Sequence, residues 1–250
     1  MSGHSKWATI KRKKAATDSA RGAAFSRLIR EITIAARAGG GNPDANVRLR
    51  SAIDAAKAAN MPGANIERAV QRGTGEVEGA TYEEITYEGF GPGGVAFLIE
   101  TATDNRNRTA NEIRNLFSKN GGNLGESGSV GWMFEPRGMI EVERGGRDDD
   151  ALLEAAVEAG ADDVEFAAGE TAMVTTAPGA LDAVRKALVA AGIPVVSATL
   201  TRVATTTVEL EEKAAASALR LFDLIENQDD VQKVHANFQI ADEVMQKLAT

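Results

Sequence analysis

Between residues 139 and 201 the hydrophobic pattern switches between a period of two and a helical period, in an order that leaves few folds open. Met139–Glu143, Val164–Ala167, Ala172–Thr176 and Val195–Thr201 read as strands, and Ala151–Ala159 and Leu181–Ala191 as helices. Strand, helix, strand, strand, helix, strand is the ferredoxin-like split arrangement. It buries two helices on one face of an antiparallel sheet.

The flanking sequence has a different texture. Ile85–Glu88 and Val95–Thr101 predict two strands joined by Gly89-Phe90-Gly91-Pro92-Gly93-Gly94. A helix from about Asn107 to Lys119 follows, with Thr109, Ile113, Leu116 and Phe117 inward, and Val130–Phe134 predicts a third strand. Beyond the βαββαβ stretch come strand Thr205–Leu210, a helix with the stripe Ala218, Leu221, Phe222 and Ile225, and strand Val231–Phe238. These late elements have no core of their own and are assigned to the sheet that begins at Ile85. Residues 137–202 then form a ferredoxin-like domain inserted into a discontinuous α/β middle domain, residues 79–136 and 203–250.

Residues 1–78 read as helical. Phe25, Leu28, Ile29, Ile32 and Ala36 form one stripe, with Arg27, Arg30 and Arg37 on the opposite face. Gly39–Pro43 stops that helix. A second helix buries Leu49, Ala52, Ile53 and Ala56, and a third starts at Pro62, carries Ile66, Ala69 and Val70 and ends at Gly73. Residues before about Ser19 lack an apolar stripe. The expected fold class is α+β in three domains: N-terminal helical, discontinuous α/β, and inserted ferredoxin-like βαββαβ.

Charge divides the chain in the same place. Residues 1–75 hold 14 Lys/Arg against 5 Asp/Glu, a net of +9, whereas the remainder holds 14 against 31, a net of −17, giving −8 in all. The densest basic segment is Lys6-Trp7 with Lys11-Arg12-Lys13-Lys14. Cations at that density displace counterions from a phosphate backbone, and an indole offers a face to an unpaired base. The chain has no cysteine, which excludes disulfides, thiolate zinc sites and cysteine nucleophiles. No apolar run approaches the roughly 20 residues that span a bilayer, and no apolar segment follows the N-terminal charges. A soluble, cytoplasmic protein without a membrane partner is the expectation.

Most motif-like stretches have ordinary structural readings. Gly89-x-Gly91-x-x-Gly94 has the letters of a dinucleotide fingerprint but lies between two strands, where a hairpin is the better reading. Gly121-Gly122-Asn123-Leu124-Gly125-Glu126-Ser127-Gly128-Ser129 lacks the Gly-Lys-Ser/Thr ending of a phosphate loop and reads as a linker, with contact to an RNA or protein surface as the alternative. Asp148-Asp149-Asp150 suits a helix start. Of the two histidines, His4 sits in the leader and His235 in a late strand, so neither supports a zinc site or a relay. No catalytic residue, metal site or cofactor is assigned, and the chain is read as a non-enzyme. Asp104-Asn105-Arg106-Asn107-Arg108-Thr109 stands apart: arginines at a helix start oppose the macrodipole, which suits either an external anion or a capped, solvated turn.

Several of these stretches together resemble the YebC/PmpR family. They are Gly3-His4-Ser5-Lys6-Trp7 with Ile10-Lys11, Pro43-Asp44-Ala45-Asn46 with Arg48-Leu49-Arg50, and Tyr87-Glu88 running into Gly89–Gly94. Asp104–Thr109, Gly121–Gly125 and Asp229-Asp230-Val231-Gln232-Lys233-Val234 complete the set. Thr9 stands where asparagine is usual and His235 where tyrosine is usual. The resemblance implies three domains and a regulator of gene expression without enzymatic activity. Family members are described either as DNA-binding transcriptional regulators or, like the mitochondrial activator of cytochrome oxidase subunit translation, as acting on the ribosome.

Lys6, Trp7, Lys11, Arg12, Lys13, Lys14, Arg27, Arg30, Arg37, Arg106 and Arg108 are therefore the candidate nucleic-acid contacts. A DNA reading uses Arg27, Arg30 and Arg37 as a phosphate-facing row, although no recognition helix stands out. An RNA reading has the leader thread into folded ribosomal RNA and order there. A third reading is a protein adaptor pairing through a sheet edge. The sequence assigns no oligomeric state beyond allowing a monomer.

Overall fold

The structure, a computed structural model, describes residues 18–166 and 170–249. The chain divides into two compact units, one made of residues 1–134 and 204–250, the other of residues 135–203.

The first unit opens with helices α1 (Asp18–Gly39), α2 (Val47–Ala58) and α3 (Gly63–Thr74). Their shared core is Ile32, Ala35, Ala36, Leu49, Ala52, Ala56, Met61, Ile66 and Ala69. Small residues let the helices approach closely: a Cβ on Gly73 would sit 2.4 Å from the Thr33 carbonyl oxygen and 2.6 Å from the Ala36 Cβ. Asn46 ties the first turn together. Its Oδ1 caps α2 by accepting from the Leu49 N–H at 3.1 Å, and its Nδ2 donates to the carbonyls of Ala35 and Gly40 at 2.8 and 2.9 Å.

A four-stranded antiparallel sheet follows, in the order β3-β1-β2-β9, built from β1 (Glu83–Phe90), β2 (Ala96–Thr103), β3 (Asn123–Leu124) and β9 (Val231–Ala236). Helices α4 (Arg106–Lys119) and α7 (Glu212–Glu226) cover one face around Phe97, Ile99, Ile113, Phe117, Leu221 and Phe222. Ala96, Leu98, Val130 and Phe134 form a smaller cluster on the other. α1 packs against β9 as well as against α2 and α3.

The second unit holds β4 (Phe134–Glu143), α5 (Asp149–Glu158), β5 (Asp163–Phe166), β6 (Thr171–Thr176), α6 (Leu181–Ala190) and β7 (Val195–Ala204), with the strands in the order β5-β6-β4-β7. This is the ferredoxin-like order expected from the periodicity. Its own core includes Ile140, Val142, Leu152, Val174, Val184 and Leu188. Asp148 caps α5, accepting from the Ala151 N–H at 2.7 Å.

The α+β class and the element order agree with the sequence; several boundaries do not. Val130–Phe134 is not a strand. Gly131–Met133 is a 3₁₀ turn, and β4 runs unbroken from Phe134. The Val130 and Gly131 N–H groups are taken by the Glu88 carboxylate and are lost to any ladder. Thr205–Leu210 shortens to β8 (Val208–Glu209), which pairs in parallel with β10 (Phe238–Gln239). Val231–Phe238 breaks at Asn237, whose side chain accepts the Ala96 N–H at 2.7 Å. A final helix, α8 (Asp242–Ala249), buries Met245 and is absent from the periodicity reading.

Candidate nucleic-acid interface

The polar centre of the first unit is a buried carboxylate. Asp230 lies in the turn before β9 with its side chain 2 % exposed. Its Oδ2 accepts from Thr103 Oγ1 at 3.1 Å, Thr109 Oγ1 at 2.7 Å and the Arg108 guanidinium at 2.7 Å. Arg30 approaches Oδ1 at 3.5 Å. Burial by itself would push this carboxyl up, but Arg108, Thr109 and Thr103 outweigh it and hold the group below its ordinary value. One carboxylate thereby joins α1, β2, α4 and β9.

The start of α4 is built around the same point. Asn105 caps it, accepting from the Arg108 N–H at 3.1 Å. Arg108 bridges Asp230 to Asp104, the latter at 2.9 Å, and hydrogen bonds to both carboxylates raise its pKa further. Arg108 thus offsets the macrodipole with two anions of its own chain. Arg106, two residues earlier, is exposed, and its charge acts on the Tyr87 hydroxyl.

The arginine row of α1 is placed differently from a solvent-facing stripe. Arg27 donates to the Glu226 carbonyl, and burial holds its pKa below the ordinary value against the opposing pull of the nearby Glu226. Arg30 donates to the Asp229 carbonyl and lies 5.7 Å from the centre of the Tyr82 ring. Arg37 is exposed and reaches Thr81 Oγ1 at 3.2 Å. The fold brings Arg30 and Arg108 together on Asp230 and leaves Arg37 and Arg106 outside that contact. Lys6, Trp7, Lys11, Arg12, Lys13 and Lys14 lie outside the described residues.

A second carboxylate orders the glycine-rich loop. Glu88 is 7 % exposed and accepts three backbone N–H groups, from Gly128 at 2.8 Å and from Val130 and Gly131 at 2.7 Å each. Burial raises its pKa, but the three bonds prevail and hold it below the ordinary value. The ordered loop presents Trp132, 67 % exposed. Periodicity and charge count mark neither Asp230 nor Glu88, because their partners are remote in the chain, although both lie in segments that carry the family resemblance.

Other features are less site-like. An open groove of about 630 Å³ beside α2 and α3 is floored by Ile53, Ile66 and Val70. Among the described residues no cluster of three metal-ligating side chains occurs, and no helix is long and apolar enough to cross a membrane.

Comparison with known proteins gives this geometry a context. Residues 5–76 match the model of the TACO1/YebC protein N-terminal domain, and residues 82–238 match that of the TACO1/YebC second and third domain. The chain belongs to the TACO1/YebC family. A probable transcriptional regulatory protein of Chlorobaculum tepidum is 56 % identical over 99 % of both chains. One of Pelotomaculum thermopropionicum is 57 % identical over 97 % of this chain and 100 % of that one. The crystal structure of a conserved hypothetical protein from Aquifex aeolicus superimposes with a TM-score of 0.83 at 47 % identity, covering 91 % of this chain and 94 % of that one. Two of the segments that carry the TACO1/YebC resemblance, Asp104–Thr109 and Asp229–Val234, meet at the Asp230 carboxylate.

Proposed function

We propose that this chain is a nucleic-acid-binding regulator of gene expression that acts by contact and not by covalent chemistry. Relatives named as probable transcriptional regulatory proteins support the regulatory part. The distribution of charge carries the nucleic-acid part. The second unit holds 6 Lys/Arg against 13 Asp/Glu, a net of −7, which leaves −1 of the chain's −8 for the first unit, where the basic leader and Arg106 lie. The first unit is the one a polyanion would approach.

Two targets fit a regulator. Promoter DNA agrees with the names of the relatives. Ribosomal RNA, in a translation activator, is favoured by one observation: Arg27 and Arg30 are engaged by Glu226, Asp229 and Asp230. That leaves fewer cations for the multiple phosphate contacts of a long duplex.

The test is ultraviolet crosslinking in cells followed by sequencing of the attached nucleic acid. A variant with Lys11, Arg12, Lys13 and Lys14 all replaced by alanine serves as control. Ribosomal RNA fragments at one location would support translation, and discrete promoters would support transcription. Loss of crosslinks with an unchanged melting temperature is expected for the leader variant. Unchanged crosslinks and an unchanged salt dependence in that variant would remove the leader's role. For Arg106→Ala the expected result is weaker binding at unchanged melting temperature.

A further inference from the structure

Helix α4 is a local exception to the composition around it. Its fourteen residues carry 4 of the 14 basic residues found after residue 75 and 1 of the 31 acidic ones. With Ile113 and Phe117 fully buried, the opposite side presents Asn107, Asn111, Arg114, Asn115 and Ser118. At 3.6 residues per turn these five fall within an arc of about 100°. All five are exposed, with Arg106 at the N-terminal end and Lys119 at the C-terminal end.

Three asparagines on the outward stripe of one helix are unfavourable choices for the helix itself. Solvent-facing positions are better served by glutamate, lysine, glutamine or alanine, whereas asparagine favours caps and turns. Asn105 already caps this helix, so the other three serve no capping role. Arg114 donates to Asn111 Oδ1 at 3.1 Å, which fixes one amide beside a cation. The side chains of Asn107 and Asn115 have no hydrogen-bond partner among the described residues. The stripe combines amides, each a donor and an acceptor, with an excess of positive charge.

We infer that the outward face of α4 is an RNA-reading surface, in which Asn107, Asn111 and Asn115 engage base edges and ribose 2′-hydroxyls while Arg106, Arg114 and Lys119 meet phosphates. This rests on the nucleic-acid reading above and names its target. The fold favours RNA over duplex DNA. α4 lies beside α7 on one face of the sheet, so its outward side is one ridge of a helical layer and not a projecting rod. The major groove of B-DNA is deep and is read by an inserted helix. The minor groove of A-form RNA is wide and shallow and displays 2′-hydroxyls, which an amide matches as donor and acceptor.

The test uses the full chain and the triple variant Asn107→Ala, Asn111→Ala, Asn115→Ala, with ribosomal RNA extracted from bacterial ribosomes and a mixed-sequence DNA duplex as probes. Alanine is the better helix former, and circular dichroism checks that the variant is folded. The expected result is a loss of RNA affinity of about tenfold with an unchanged salt slope, because uncharged groups release no counterions. Replacing Arg106 and Arg114 by alanine instead lowers both affinity and slope. Unchanged RNA affinity in the triple variant would overturn the assignment, and so would an equal loss on DNA. If the unaltered chain bound neither probe, the nucleic-acid reading itself would fall.

Discussion

At the scale of single residues, two buried carboxylates stabilise this molecule by opposite means. The charge of Glu88 is held by backbone N–H groups and that of Asp230 by guanidinium and hydroxyl donors. Both are held below their ordinary pKa values. The stability they contribute is therefore complete above their unfolded values, near 4.5 for Glu88 and 3.8 for Asp230, and is lost as pH falls through the lower folded-state values. Asp230→Asn removes the charge facing Arg108 and Arg30 and is expected to cost about 2 kcal/mol at neutral pH. Urea titrations at a series of pH values should also show this variant losing less stability below about pH 4 than the unaltered chain. Parallel acid limbs for the two proteins would mean that Asp230 does not titrate with folding.

At the scale of elements, the helices of the first unit are held by shape where the sheet is held by register. α1 and α3 meet where Gly73 leaves no room for a Cβ. Gly73→Ala gains about 1 kcal/mol of helix propensity but forces the helices apart, at a cost of about 1–3 kcal/mol. A lowered melting temperature is expected, and a raised one would show that the close approach is dispensable. In α4 the balance differs: its buried side is ordinary core, and its outward side gives up helix propensity for amides.

At the scale of the whole molecule, the second unit has a continuous chain and a core of its own. Residues 135–203 expressed alone are expected to melt in one cooperative transition, measured by circular dichroism or calorimetry. A gradual, non-cooperative melt would show that they depend on the rest of the chain. The same division separates charge, with the acidic excess concentrated in the second unit.

Much of the fold was legible because it is written in local periodicity. The alternation of Ile140, Val142 and Val174 and the helical spacing of Ile32, Ala36, Ile113 and Phe117 place apolar side chains on one face whatever the rest of the chain does. Boundaries such as Val130–Phe134 were not legible, since a side chain 42 and 43 residues away takes the backbone donors of Val130 and Gly131. Among the candidate contacts, charge and helical spacing marked Arg27 and Arg30, and its place at a helix start marked Arg108, but such local signals are blind to what lies opposite. Only the folded chain brings Asp230 to Arg108 across 122 residues, and the Glu226 and Asp229 carbonyls to α1 across 199. The sequence alone determined the α+β class, the βαββαβ order and the basic character of the first 75 residues, because each is a property of neighbours along the chain. Tertiary structure alone decided which of those cations are engaged within the molecule, because an ion pair is set by distance in space.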